Sequence, residues 1–172
     1  DSPVELSAFT LRSFTVDREF RLAVHHDGSE ADVDRLAAGL ARIVREQRAV
    51  FGEFPPFEVP YTFIADFLPW AASDGMEHRN STILTEPARL RVPDEQLGVL
   101  STASHEFFHS WNVERIRPRS LEPFDFEDAN MSGELWLAEG VTNYYAPLIT
   151  ARAGLTTPRD FARDLGPAIN TV

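Results

Sequence analysis

His105-Glu106-Phe107-Phe108-His109, followed downstream by Trp136-Leu137-Ala138-Glu139-Gly140, is the stretch on which the reading of this chain turns. On a helix, residues four apart lie one turn above each other, so both imidazoles project the same way and can take two corners of a zinc tetrahedron. The spacing is that of H-E-x-x-H. Five histidines and fifteen glutamates scattered at random along the chain would generate it in roughly one chain in eighty.

The flanking residues place the motif on a helix. Pro93 and Asp94 read as its start, with Asp94 as N-cap and Glu95 in the first turn, near the positive end of the dipole. Leu97, Leu100, Ser104, Phe107, Phe108 and Trp111 then recur at helical spacing, giving an apolar flank beside a histidine face. A hydrolytic zinc site keeps three protein ligands and leaves the fourth position to water, so a third donor must come from another segment. The stretch from Gly133 to Arg152 reads as a second helix, with Ser132 as N-cap and Gly154 as a C-terminal stop. Pro147 inside it conflicts with that reading and predicts a kink or an early end. Glu139 and Glu134 are the candidate donors. Five residues separate them by about 140° around a helix, so only one can face the metal. Glu134, in the first turn, is accounted for by the helix dipole alone.

Composition sets the class. With 43% apolar and 11% aromatic residues over 172 positions, the chain can bury one sizeable core, and a single domain or most of one is expected. A net charge of −11 argues against nucleic acid and anionic membranes as partners, since both would repel it. Without cysteine there are no disulfides or thiolate metal sites, and histidine and carboxylate are the available ligands. No apolar run approaches 18 residues and no signal peptide opens the chain. A sequence that begins at Asp1 and stops at Val172 without a natural ending is expected to be a piece of something longer.

Upstream, Phe20 to His26 alternates apolar and polar residues and ends at Asp27-Gly28, a strand and a turn. A strong helix is predicted over 30–50, with Val33, Leu36, Ala37, Leu40, Ile43, Val44 and Val50 on one stripe. Its acids cluster at the front and its arginines at the rear, as the dipole favours. After Pro55-Pro56 and Pro60 come a strand over Tyr61 to Leu68, a third over Glu77 to Thr85, the two helices of the site, and a last helix from near Pro158. This order predicts an α+β fold, a mixed sheet packed on the H-E-x-x-H helix with the start of a helical lobe. Residues 1–18 read as a linker or the last strand of a preceding domain, and residues 19–172 as the catalytic domain.

His105 to Pro118, Gly75-Met76-Glu77-His78-Arg79-Asn80-Ser81, and Leu135 to Tyr145 together resemble the glycyl aminopeptidase family of bacterial gluzincin metallopeptidases. The resemblance implies a thermolysin-like catalytic domain, preceded in full-length members by a β-rich domain and followed by a PDZ domain, both absent here. It makes His105, His109 and Glu139 the ligands of one zinc ion and Glu106 the general base. Zinc lowers the pKa of bound water from 15.7 toward about 7 and polarises the scissile carbonyl. Glu106 takes the proton and delivers it to the leaving amine. Glu77 matches the exopeptidase segment of related aminopeptidases, where the carboxylate grips the free α-ammonium of the peptide. The implied reaction is release of a small N-terminal residue, Gly or Ala, from peptides with a free N-terminus, in the bacterial cytoplasm or periplasm.

An endopeptidase on the same scaffold, or a catalytically incompetent metal- or peptide-binding fragment, are the other readings. The related enzymes carry a transition-state-stabilising Tyr on a part of the helical lobe expected beyond Val172. Its absence would cost a factor of about 100 to 1000 in rate.

Other residues are read more plainly. Asn143, one turn after Glu139, is placed to orient a ligand histidine. His78 can face the far side of an edge strand, and His25 and His26 read as strand-end and turn residues beside Asp27-Gly28. Trp136, Tyr144, Tyr145, Phe107 and Phe108 are expected in the core. Arg115, Arg117 and Arg119 read as an extended segment paired with surface acids.

Overall fold

The alternation read over Phe20 to His26 becomes an interior strand of a sheet, with Phe20, Leu22 and Val24 all fully buried on one face. The computed structural model describes residues 3–123, 125, 127 and 131–170. Its elements are β1 (Thr10–Val16), β2 (Arg18–His26), α1 (Glu30–Phe51), β3 (Tyr61–Phe67), β4 (Asp74–His78), β5 (Ser81–Glu86), α2 (Pro93–Phe108), α3 (Val141–Arg152) and α4 (Pro158–Asn170). The strands form one mixed five-stranded sheet in the order β1-β2-β3-β5-β4. Strands β2, β3 and β5 run parallel, and β1 and β4 close the edges as antiparallel strands. The fold is thus α+β. Among the described residues no helix is long and apolar enough to cross a membrane.

Helices α1 and α2 cover the inner face of the sheet. Helix α1 starts on a capping box between Ser29 and Asp32 and stops at Gly52, whose φ of 83° closes the helix through its N–H to the Arg48 carbonyl. Its predicted stripe is buried as expected, apart from the half-buried Val50. Against it lies an aromatic cluster of Phe20, Tyr61, Phe63 and Phe107, with Tyr61 and Phe107 ring centroids 4.9 Å apart. Rings of this size bury a large apolar area between α2 and the sheet. Gln47 of α1 donates to the Ser104 carbonyl at 2.6 Å, and Ser104 Oγ donates to the Ala146 carbonyl at 3.2 Å, so one buried serine joins three helices.

Four expectations are corrected. Residues 10–16, read as linker or the end of another domain, are β1, paired residue for residue with β2 through a turn in which Asp17 takes φ 58°. The single strand expected over Glu77 to Thr85 is the hairpin β4–β5, turning at Arg79-Asn80. That turn has no glycine to announce it. The N-cap of α2 is Val92 with Pro93 in the first helical position, while Asp94 and Glu95 sit in the first turn. The helix expected from Gly133 opens as a turn, widens into a π-helical stretch over Trp136–Gly140, and becomes α3, which runs through Pro147 to Arg152. Gly154 at φ 65° lies just past its end. The last predicted helix is α4; residues 171 and 172 lie outside the described residues.

Candidate metal and peptide site

The packing of Phe107 and Trp111 into the core fixes the rotation of α2, and with it the direction of the histidine face. His105 Nε2 and His109 Nε2 stand 3.1 Å apart. His109 Nδ1 donates to the Asn112 carbonyl at 2.7 Å, which leaves the lone pair on Nε2. Glu139 Oε2 lies 3.3 Å from His105 Nε2 and 3.7 Å from His109 Nε2. Donor atoms at 2.0–2.2 Å from a tetrahedral ion are separated by about 3.3–3.6 Å. The three atoms therefore already stand close to the corners that a zinc ion requires, with one corner open. Two imidazoles and a carboxylate suit zinc better than calcium or magnesium, which prefer oxygen alone.

Glu134 is held elsewhere. Its carboxylate accepts from Ser132 Oγ at 2.7 Å and Ser120 Oγ at 3.0 Å, and these bonds hold its pKa below the usual range. Ser132 Oγ also accepts from the Glu134 N–H, as an N-cap would. Of the two candidate donors, the structure brings Glu139 to the histidines.

Reasoning from sequence missed Asn112. It is 3% exposed, and its Nδ2 lies 2.9 Å from the Leu137 carbonyl, 3.1 Å from the Ala138 carbonyl and 3.0 Å from Thr142 Oγ1. These contacts fasten the π-helical stretch that carries Glu139, while the backbone carbonyl of the same residue receives His109 Nδ1. One residue thus sets both the imidazole and the carboxylate. The only signal was its place three residues after His109, inside the quoted motif.

Glu106 is 7% exposed, with Oε1 4.0 Å from His105 Nε2. Burial, and then the charges of Glu77, Glu139 and Asp74, push its carboxyl up to about 8. His105 is pushed down by burial and by His109, against the opposing pull of Glu139 and a hydrogen bond with Asn143. Asn143, which the sequence suggested could orient a ligand histidine, lines the same cavity as His105.

Strand β4 faces this group along its edge. Gly75 and Glu77 pair with the buried Leu84 and Thr82, on the α2 side, whereas His78 pairs with Ser81 on the far face. The Glu77 carboxylate lies within 4.8 Å of donor atoms of Glu106 and His109. At Gly75 a Cβ would stand 2.3 Å from Glu106 Oε1, so a hydrogen is all that the space allows. Gly75→Ala must therefore displace the Glu106 carboxylate, the free end of a side chain, at little cost in stability. A misplacement near 1 Å costs about 100-fold. If Glu106 is the proton acceptor that the motif implies, the expected result in the full-length protein is an unfolding temperature close to the parent's and kcat lower by about two orders of magnitude. Unchanged kcat would mean that the contact has no catalytic weight. A cavity of about 470 Å³ opens before His105 and Glu106, bounded by Asp74, Gly75, Asn143 and Pro147.

The remaining sequence-selected residues lie apart from the site. His26 Nδ1 accepts from the Gly28 N–H and its Nε2 meets Thr10 Oγ1, a turn role. Phe107 and Phe108 are core residues, and Tyr145 stacks on Phe108, but Trp136 is 68% and Tyr144 44% exposed, so these two are not in the core. Arg117 pairs with Glu122 at 2.8 Å, in a segment of turns and a short 3₁₀ helix rather than an extended one.

Residues 98–172 match the family model of the M61 glycyl aminopeptidases, in agreement with the resemblance read from the motifs. Among solved structures, the chain is similar to an aminopeptidase N family protein from Idiomarina loihiensis, with 28% identity and a TM-score of 0.79. The similarity covers 90% of this chain and 27% of that one, so the chain spans about a quarter of the protein it matches. No curated protein matches significantly.

Proposed function

We propose that this chain is the metal-bearing part of the catalytic domain of a zinc aminopeptidase with a thermolysin-like fold, acting on peptides with a free N-terminus and a small first residue. The observation that carries the reading is the convergence of His105, His109 and Glu139 at tetrahedral spacing, with Glu106 on one side and Glu77 beside it.

His105 Nε2, His109 Nε2 and one Glu139 oxygen would hold the ion. A zinc ion bound there supplies Lewis acidity and an acidified water. Glu106 accepts a proton from the attacking water at its carboxylate and returns it to the leaving nitrogen. Shielding from solvent strengthens each of these charge interactions. Glu77 binds the α-ammonium of the peptide by a charge-assisted contact, which fixes hydrolysis at the first peptide bond. The preference for Gly or Ala is supported only by the resemblance to the glycyl aminopeptidases.

Zinc titration of the 172-residue chain, with metal analysis of the parent, Glu139→Ala and Glu134→Ala, tests the ligand set. We expect Glu139→Ala to lose one zinc per chain and Glu134→Ala to lose none. Loss with Glu134→Ala only, or no zinc in the folded parent, would overturn the ligand set. In the full-length enzyme, peptides with a free N-terminus should be cleaved and their N-acetylated forms spared. Equal cleavage of both would reject the role of Glu77 and indicate an endopeptidase.

A further inference from the structure

On the face of the sheet away from the helices, a second group of metal-ligating side chains converges. His25 and Asp66 are register partners at the carboxyl ends of the adjacent parallel strands β2 and β3. His25 Nδ1 stands 3.0 Å from Asp66 Oδ1, and a Glu5 carboxylate oxygen lies within 4.8 Å of both. All three residues are half-buried. Their face is fixed by alternation: Phe20, Leu22 and Val24 point into the helical core, so His25 points out of it, and Asp66 follows the fully buried Ala65 in the same way. The H-E-x-x-H helix lies across the thickness of the sheet.

Several of the surface acids carry an arginine partner. Glu30 and Asp34 share Arg12, Asp32 has Arg35, and Glu46 has Arg152. Among the described residues, no arginine pairs with Glu5 or Asp66, and His25 is the single imidazole of the group. A neutral imidazole leaves the group with two uncompensated negative charges; a protonated one still leaves one. A divalent cation would neutralise them, and an imidazole with two carboxylates is a donor set that selects a transition metal over calcium or magnesium. The 3.0 Å separation of His25 and Asp66 is close to the edge of a tetrahedral site, and Glu5 has only to close in from a flexible carboxylate arm.

We propose that Glu5, His25 and Asp66 form a second divalent-cation site, with zinc as the probe, which ties the segment ahead of β1 to the ends of β2 and β3. A cation at His25 Nδ1 is held by the neutral tautomer that carries its proton on Nε2. Ligands brought together from before β1, from β2 and from β3 make the site dependent on the folded sheet, so the cation stabilises it by mass action.

The test is zinc per chain at buffered free zinc, with far-UV circular dichroism to confirm folding. Two zinc ions are expected for the parent and for His78→Ala, and one for His25→Ala, Asp66→Asn and Glu139→Ala alike. His25→Ala combined with Glu139→Ala should hold none. A parent count unaffected by both His25→Ala and Asp66→Asn would overturn the site and leave a His25–Asp66 ion pair. In the parent itself, ¹⁵N imidazole spectra should show His25 Nδ1 shifting with its own zinc equivalent. A ring that does not respond to zinc rejects the proposal whether or not the variants fold. Failure of the H-E-x-x-H site would register separately, as a count unchanged by Glu139→Ala.

Discussion

On the proposed mechanism, Glu106→Gln is expected to leave zinc binding by His105, His109 and Glu139 intact while kcat of the full-length protein falls by about 10²- to 10⁴-fold. The substitution keeps the volume of a side chain that is 7% exposed and removes its capacity to take a proton. Its separation from the ligand set makes the two readouts independent: metal content reports on the imidazoles, kcat on the base. A variant that keeps most of its activity would remove Glu106 from the mechanism.

The same substitution has a pH signature in the metal-free chain. The folded-state carboxyl of Glu106 is raised from 4.5 to about 8, first by burial and then by Glu77, Glu139 and Asp74. Between those two pH values the folded state holds a proton that the unfolded state has released, so stability falls as pH rises through the window. Metal-free Glu106→Gln should lack that fall and overtake the parent in stability toward pH 8, by a gap of the order of a few kcal/mol. Parallel stability curves from pH 5 to pH 9 would contradict it. With a divalent cation bound nearby, the carboxylate is favoured and the gap should shrink.

The second large effect is expected at Asn112. Asn112→Ala strips the Leu137 and Ala138 carbonyls and Thr142 Oγ1 of a donor, and it loosens the stretch that presents Glu139. Loss of a partner that orients metal ligands costs about 10- to 100-fold in metal affinity. A buried polar group left without a partner costs about 1–3 kcal/mol in stability. Gln96→Ala is the control. Its amide bonds the Asp32 and Leu90 carbonyls at the far end of α2, so it should lower stability similarly and leave zinc affinity unchanged. Equal zinc affinity in parent and Asn112→Ala would show that the π-helical stretch holds Glu139 without help.

The π-helical stretch also explains why the angular argument from the sequence was incomplete. It compared Glu134 with Glu139 on a regular helix, at about 100° per residue. The observed chain turns at Gly133-Glu134 and then winds more widely, with the Val141 N–H reaching the Trp136 carbonyl five residues back. Such widening is rare, and buried carbonyls left without a helical donor need partners from elsewhere. Those partners come from Asn112 and from Thr142 Oγ1, which is 2.6 Å from the Ala138 carbonyl.

What the sequence determined by itself was local. The i,i+4 spacing put His105 and His109 on one face because helix geometry is intrinsic to the backbone, and the stripe of α1 and the alternation of β2 were legible for the same reason. The tertiary structure decided everything that joins separate segments. Register with β2 made a strand of residues 10–16, and pairing with β5 turned Gly75 and Glu77 toward α2 while sending His78 the other way. Packing of Asn112 against the widened helix, rather than helical periodicity, brought Glu139 within 3.3 Å of His105. Contacts between distant segments depend on which surfaces are buried together, and that is a property of the whole fold rather than of any one stretch of chain.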